Sequence, residues 1–416
     1  MHGSSASPWC WAQLVACCLL CAFAFALPLP CFGVFVSPMV ETFGSSVTEV
    51  NLYFTFMTAA AVVSCAVGER ILDKRMRSTV VVCVFAMAAA YAALALVPSI
   101  AMVWLAGAVA GLCYPLCTTM LVPIHINRWF SKRQGTFIGV SFALVGLSGM
   151  VFGPLLTAGI AGFGWRATLA GAAVAMLAVC VSAAVFLLRS DPASVGVEPY
   201  GGMRDAIEAR EDGRARSACA PYFGIPFAFA ALAALLSGVL GDLNTQVNAV
   251  AQQSGFDAVT AGVAFSCISG GLVVGKVALG SIRDARGSAV SISFGCVCGV
   301  VAFALLAFSI STDGAALLFI GSALAGICTC LGTVAPALLA ADAFDPRHHA
   351  RAVGHLTAFC NAGMAVGAPL YSLSFDLAGS YLPVTLSLCA IAVLTAIASL
   401  VSVRARKAAS ACSMMG

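Results

Sequence analysis

Charge is what this sequence has least of. Only 9% of its 416 residues are Asp, Glu, Lys or Arg, against roughly 25% in soluble chains. A water-facing surface for a 42 kDa fold cannot be assembled from so few, which excludes an ordinary soluble enzyme or binding domain. The basic residues form no block interleaved with aromatics, so the footprint of a nucleic-acid binder is missing. No His-x-x-x-His, no P-loop and no Cys/His ligand cluster occurs. No metal centre, cofactor, catalytic triad or ATP drive within this chain is therefore expected, and an enzyme is not. The amino terminus lacks a basic n-region before its apolar run, so residues 10–30 read as a first membrane helix rather than a cleaved signal.

Apolar residues, by contrast, make up 61% of the chain. They fall in runs at 10–40, 50–68, 78–98, 100–126, 135–161 and 165–188, and again at 221–250, 259–282, 288–311, 314–341, 352–375 and 380–403. About 20 residues of helix cross a bilayer, and lipid demands that the backbone satisfy its own hydrogen bonds. The expected fold is an all-α membrane protein of twelve transmembrane helices in two pseudo-symmetric six-helix bundles. The boundaries are 1–189 for the first bundle, 190–220 for a cytoplasmic linker and 221–416 for the second bundle. Within the linker, "RDAIEAREDGRAR" suggests a short solvated helix. The 19 cysteines lie nearly all in apolar runs, where thiols serve as small hydrophobes; Cys18-x-x-Cys21 is one such case.

The basic residues set the orientation. Nineteen of the 21 follow even-numbered helices; Arg166 lies in a loop on the other side, and Lys276 lies inside a run. By the positive-inside rule, both termini and the linker are cytoplasmic in a plasma (inner) membrane. The halves also repeat. "AGLC" at 110–113 matches "AGIC" at 325–328, offset by 215, while Asp73 matches Asp284 at an offset of 211. Two similar bundles around a central cavity suit a secondary transporter whose site lies near the midplane.

"GSIRDARG" (280–287) resembles the G-x-x-x-D-x-x-G loop of the major facilitator superfamily, and "ERILDKRMR" (69–77) resembles a degenerate copy, with Glu69 and Met76 at the glycine positions. "GVFVSPMVETFGSSVTEVN" (33–51), "NRWFSKRQGTFIGVSFALVGLSG" (127–149), "GWR" (164–166) and "DPASVGVEPYG" (191–201) resemble the monocarboxylate transporter and oxalate/formate antiporter branch. The resemblance implies the twelve-helix fold and alternating access. Asp73, Asp284 and Arg283 then either latch the bundles on the cytoplasmic side or form charge clusters that only set topology.

An ionisable residue inside the membrane costs about 2.5–3.5 kcal/mol on insertion scales and is a functional candidate by default. Lys276 is one, eight residues or about 12 Å of helix before Asp284. The resemblance places it at the cationic partner of a substrate carboxylate; otherwise it snorkels toward the headgroups. Asp242 in "GVLGDLNTQVNAVAQ" is the other, either a gating or proton-carrying group or a hydrated helix end. Tyr114, Thr118, Thr119 and Asn361 are candidates to orient a carboxylate, or else make helix–helix hydrogen bonds. Pro115 is expected to kink the fourth helix, and His125 to sit at the interface.

Two departures weigh on coupling. Leu272 stands where the proton-coupled monocarboxylate transporters carry Asp, and "LPLPC" around Pro30 where they carry a first-helix Lys. The eleventh helix offers only His355 as a second basic group. The function expected is a carrier of a small organic anion, a monocarboxylate, with a coupling ion or exchanged anion as partner. An efflux pump for apolar or cationic compounds is the alternative, and a non-transporting sensor or enzyme the remote one.

Overall fold

The computed structural model describes residues 7–96, 99–201, 222–244, 251, 255–312, 314–345, 348–378 and 382–413. The expected helix in 203–216 lies outside these residues, as do Gln246, Asn248 and Arg347. Among the described residues no strand forms, and one isolated bridge joins Phe130 to Tyr200.

Among the described residues, eight helical stretches are long and apolar enough to cross a membrane. Two of them hold two passes each. Val47–Leu96 breaks at Arg75 (φ −145°, ψ 48°), giving the second and third helices. Gln134–Ser182 breaks at Gly164 (φ 78°, ψ 160°), giving the fifth and sixth. That positive φ is strained for any residue with a Cβ, which is why glycine opens "GWR". The seventh helix, Ile225–Gly241, and the eleventh, His349–Ala378, complete twelve passes among the described residues, in the order of the apolar runs. The remaining passes are the eighth (Ala258–Arg286), the ninth (Ser288–Thr312) and the twelfth (Leu382–Ser413).

The sixth pass ends in a π turn at Ala183–Leu187, and among the described residues three further passes are not continuous α-helix. The first is Pro8–Leu20, a π turn at Cys21–Phe25, turns over 26–31, a 3-10 turn at Phe32–Phe35 and a last helix Val36–Phe43. The single run expected over 10–40 is thus interrupted. Pro28 and Pro30 supply no N–H to continue it. The exposed backbone is satisfied from a neighbour: the Tyr53 hydroxyl donates to the Pro28 carbonyl at 2.9 Å and meets the Tyr91 hydroxyl at 2.8 Å. Phe32 stacks on Tyr53 at 3.6 Å. The fourth pass ends at Cys117, turns, and resumes as Leu121–Trp129, just after Pro115. The tenth is divided likewise into Ala315–Thr329 and Leu331–Ala343.

The chain forms two compact units: Met1–Ser131 with Leu144–Met203, and Lys132–Ala143 with Arg204–Gly416. The first turns of the fifth helix therefore group with the second unit. Within each unit the internal repeat is visible as one contact. A Cβ on Gly111 would fall 2.0 Å from the Met57 carbonyl oxygen, and one on Gly326 would fall 2.2 Å from that of Ile268. Residues 111 and 326 differ by 215, and 57 and 268 by 211, the offsets found in the sequence. Small residues let these backbones touch where apolar side chains alone would hold them apart.

Candidate functional site

Lys276 sits midway along the eighth helix. Gly271 and Gly275 press one side of this stretch onto the tenth helix, where added Cβ atoms would meet the Ala323 carbonyl oxygen at 2.0 Å and Ile327 Cα at 2.8 Å. The start of the fifth helix covers another side. A Cβ on Gly139 would lie 2.2 Å from the Lys276 carbonyl oxygen, and one on Gly280 would lie 2.1 Å from that of Gly135. The lysine is thus enclosed by backbone and is 3% exposed. Its Nζ donates to the Phe142 carbonyl at 3.0 Å. One turn earlier, Leu272 offers its carbonyl to the Cys330 thiol at 3.2 Å.

Asn361, on the eleventh helix of the same unit, is also buried. Asp242 follows the last residue of the seventh helix and packs on the eleventh, where a Cβ on Gly367 would meet its Cβ at 2.9 Å. In the first unit, Tyr114 is buried with its ring stacked on Phe25, the centroids 5.4 Å apart. The Thr118 hydroxyl donates to the Tyr114 carbonyl at 2.7 Å, so it caps its own broken helix. The neighbouring Thr119 hydroxyl is buried and lacks a hydrogen-bond partner among the described residues. A buried orphan hydroxyl calls for an explanation.

The loop acids are held in different ways. Asp284 accepts from Gly135 N, Thr136 N and Thr136 Oγ1, each at 2.7 Å. It thereby caps the fifth helix, which begins at Gln134, with a carboxylate placed where the helix dipole favours negative charge. Arg283 lies 3.3 Å from Asp284 and 2.8 Å from Asp342, whose other oxygen accepts from Ser288 N at the start of the ninth helix. Asp73 instead pairs with Arg128 at 2.6 Å, and Arg128 lies 3.9 Å from Asp191.

Several of these partners escaped sequence reasoning. Asp342 carried a usable signal, an acid at the end of an apolar run; Gly135, Thr136 and the Phe142 carbonyl carried none. His125 is fully buried within the protein. Gln13 donates through Nε2 to the Leu187 carbonyl at 2.8 Å, which turns its oxygen toward His125 Nε2 at 3.0 Å. That orientation places the imidazole proton on Nε2. The pair ties the first, fourth and sixth passes together.

The Major Facilitator Superfamily description matches residues 18–317. The chain belongs to this superfamily. It is accordingly an integral membrane protein and a secondary transporter of small molecules, not an enzyme. Solved structures agree on the fold. The proton:xylose symporter XylE, bound to 6-bromo-6-deoxy-D-glucose, has a TM-score of 0.65 at 13% identity, with 95% of each chain covered. The human organic anion transporter MFSD10 has 0.62 at 18%, covering 94% of this chain and 98% of that one. The E. coli fucose:proton symporter FucP has 0.63 at 12%, covering 95% and 99%. No curated protein matches the sequence closely.

Proposed function

We propose that this transporter moves a small organic anion, a monocarboxylate, across the cytoplasmic membrane by alternating access, with Lys276 neutralising the carboxylate. One observation carries the reading: an ammonium group is buried on the eighth helix against a main-chain carbonyl. Carboxylates accept from ammonium groups more strongly than neutral oxygens do, so a buried cation at this place suits an anionic substrate. The resemblance of residues 33–51 and 127–149 to the monocarboxylate and oxalate/formate branch supports the same substrate class. That the fold also serves a human organic anion transporter is compatible with it. Thr119, Tyr114 and Asn361 would orient the anion, with Thr118 shaping the helix break beside them. Asp284 with Arg283 would act as a cytoplasmic tie that forms and releases, Asp73 on the other copy would hold Arg128 at the same face, and Asp242 would gate. Leu272 gives no proton partner beside Lys276, so exchange or another coupling ion is expected. The termini are cytoplasmic in this reading, on the distribution of Arg and Lys.

The test is uptake of labelled carboxylates into liposomes by the native chain, Lys276→Gln and Lys276→Arg. Losing one partner of a buried charge pair costs about 2 kcal/mol or more, so Lys276→Gln should weaken apparent affinity about thirtyfold or more. Lys276→Arg should retain part of it. Equal uptake by the native chain and Lys276→Gln would remove Lys276 from the site. Movement of a cationic dye without any carboxylate would replace this function with efflux.

A further inference from the structure

A second cationic cluster lies where the seventh and eleventh helices begin. Tyr222 and Phe223 precede Ile225, the first residue of the seventh helix, and Arg351 is in the first turn of the eleventh. The Arg351 guanidinium carbon stands 4.8 Å from the Tyr222 ring centre and 5.6 Å from that of Phe223. The Tyr222 hydroxyl meets His355 Nδ1 at 2.8 Å. The exposed His348 presents its ring edge-on to Tyr222, 5.5 Å between centroids.

A guanidinium stacked on rings engages its π face and leaves its in-plane N–H donors for an acceptor. Among the described residues, no carboxylate or carbonyl accepts from Arg351. An apolar track leads away from this cationic end. Phe223 lies 5.0 Å from Phe227, and Phe227 lies 6.3 Å from Phe359. Phe359 is eight residues beyond Arg351, or about 12 Å deeper along the helix. Phe223, Ile225 and Phe359 are all exposed. The seam therefore grades from cationic at the helix ends to apolar toward the membrane interior.

We propose that this seam binds an anionic phospholipid from the surrounding leaflet. Its phosphate would sit on Arg351 and His348, and an acyl chain along Phe223, Ile225 and Phe359. Basic sites between transmembrane helices bind lipid headgroups by this chemistry. A soluble phosphate would use the cationic end alone and leave the apolar track uncovered. The site is separate from Lys276 and does not depend on which anion is carried.

The experiment is native mass spectrometry of the full chain in detergent, titrated with phosphatidylglycerol or phosphatidylcholine. The native chain should hold phosphatidylglycerol in preference. Arg351→Gln should weaken that binding about fivefold, the worth of one basic residue at an anionic surface, and leave phosphatidylcholine unchanged. Should Arg351→Gln fail to fold, His348→Gln at an exposed position should show a smaller loss of the same selectivity. Equal retention of the two lipids by the native chain would overturn the proposal, as would undiminished phosphatidylglycerol binding by the folded variants. Displacement of the lipid by excess inorganic phosphate would reassign the site to a soluble anion.

Discussion

Asp73 and Asp284 occupy matching positions in the two halves, 211 residues apart, yet they end in different surroundings. The side chain of Asp284 is 13% exposed and engaged by two amides, a hydroxyl and an arginine. That of Asp73 is 66% exposed and held by Arg128. The residue four places earlier explains the difference. In the second copy it is Gly280, whose missing Cβ lets the Gly135 backbone come close enough for Asp284 to reach the helix start. In the first copy it is Glu69, which excludes such an approach at that position. The flanking residues diverge too. Gly287 (φ 88°) turns the chain directly into the ninth helix, where Asp342 caps Ser288. Met76 stands in its place in the first copy, and the break falls on Arg75. Asn127 stands where the 215 offset would put a counterpart of Asp342. An aspartate in a loop motif is therefore not a tie by itself; the glycine that admits a partner backbone and the residues flanking it together make it one.

The largest effect expected from this comparison is that of Gly280→Val. Its Cβ would meet a main-chain oxygen 2.1 Å away, which no side-chain rotation can relieve. The contact must open, and the Asp284 hydrogen bonds open with it. Overpacking of this kind costs about 1–3 kcal/mol, so a lower thermal midpoint in detergent and a loss of liposome uptake are expected. Glu69→Val, its counterpart, replaces a residue that already carries a Cβ at that position and should change both less. A Gly280→Val protein that melts and transports like the native one would show that the close approach is incidental.

The next contrast is Asp284→Ala against Asp73→Ala. Removing Asp284 strips a charged acceptor from the start of the fifth helix, at about 1.5–3 kcal/mol. The Asp73–Arg128 pair is mostly solvated, and such pairs are worth about 0–1 kcal/mol. Salt should therefore weaken whatever Asp73 contributes and leave Asp284 nearly untouched, since exposed charges are screened and enclosed ones are not. Paired chemical or thermal melts at low and high salt read both differences. Equal losses, equally salt-sensitive, would erase the distinction drawn from burial.

The same contrast explains what was legible from sequence. Twelve passes could be counted because lipid enforces apolar length, and Arg and Lys mark alternate loops with little ambiguity. The repeat offsets were readable and reappear as the Gly111–Met57 and Gly326–Ile268 contacts. Lys276 stood out because it is the one Lys or Arg deep inside an apolar run, away from either end. Its neighbour did not: the Phe142 carbonyl is a main-chain atom 134 residues away, which no residue type announces. The partner of His125 was hidden for a similar reason. Gln13 is 112 residues distant and lies inside an apolar run, where a lone amide gives no hint of what it pairs with. The break in the fourth pass was legible because Pro115 announces it, whereas the one at Pro28 and Pro30 was passed over inside a run long enough to read as a single helix.

The smallest effect is expected from the substitution that completes the motif in the first copy, Glu69→Gly. If glycine alone made the tie, this variant would gain stability and lose the salt sensitivity assigned to Asp73. Glycine inside a helix instead costs about 0.5–1 kcal/mol, and residue 69 lies within the helical stretch Val47–Leu96. A small loss in thermal midpoint is therefore expected, with the salt dependence unchanged, because Arg128 still holds Asp73 and its hydration is unaltered. A gain in stability with a flattened salt response would mean that Asp73 finds helix-start amides once the Cβ is gone. In that event the two copies would be equivalent ties distinguished by a single side chain, and Glu69 would be the residue that keeps one of them open.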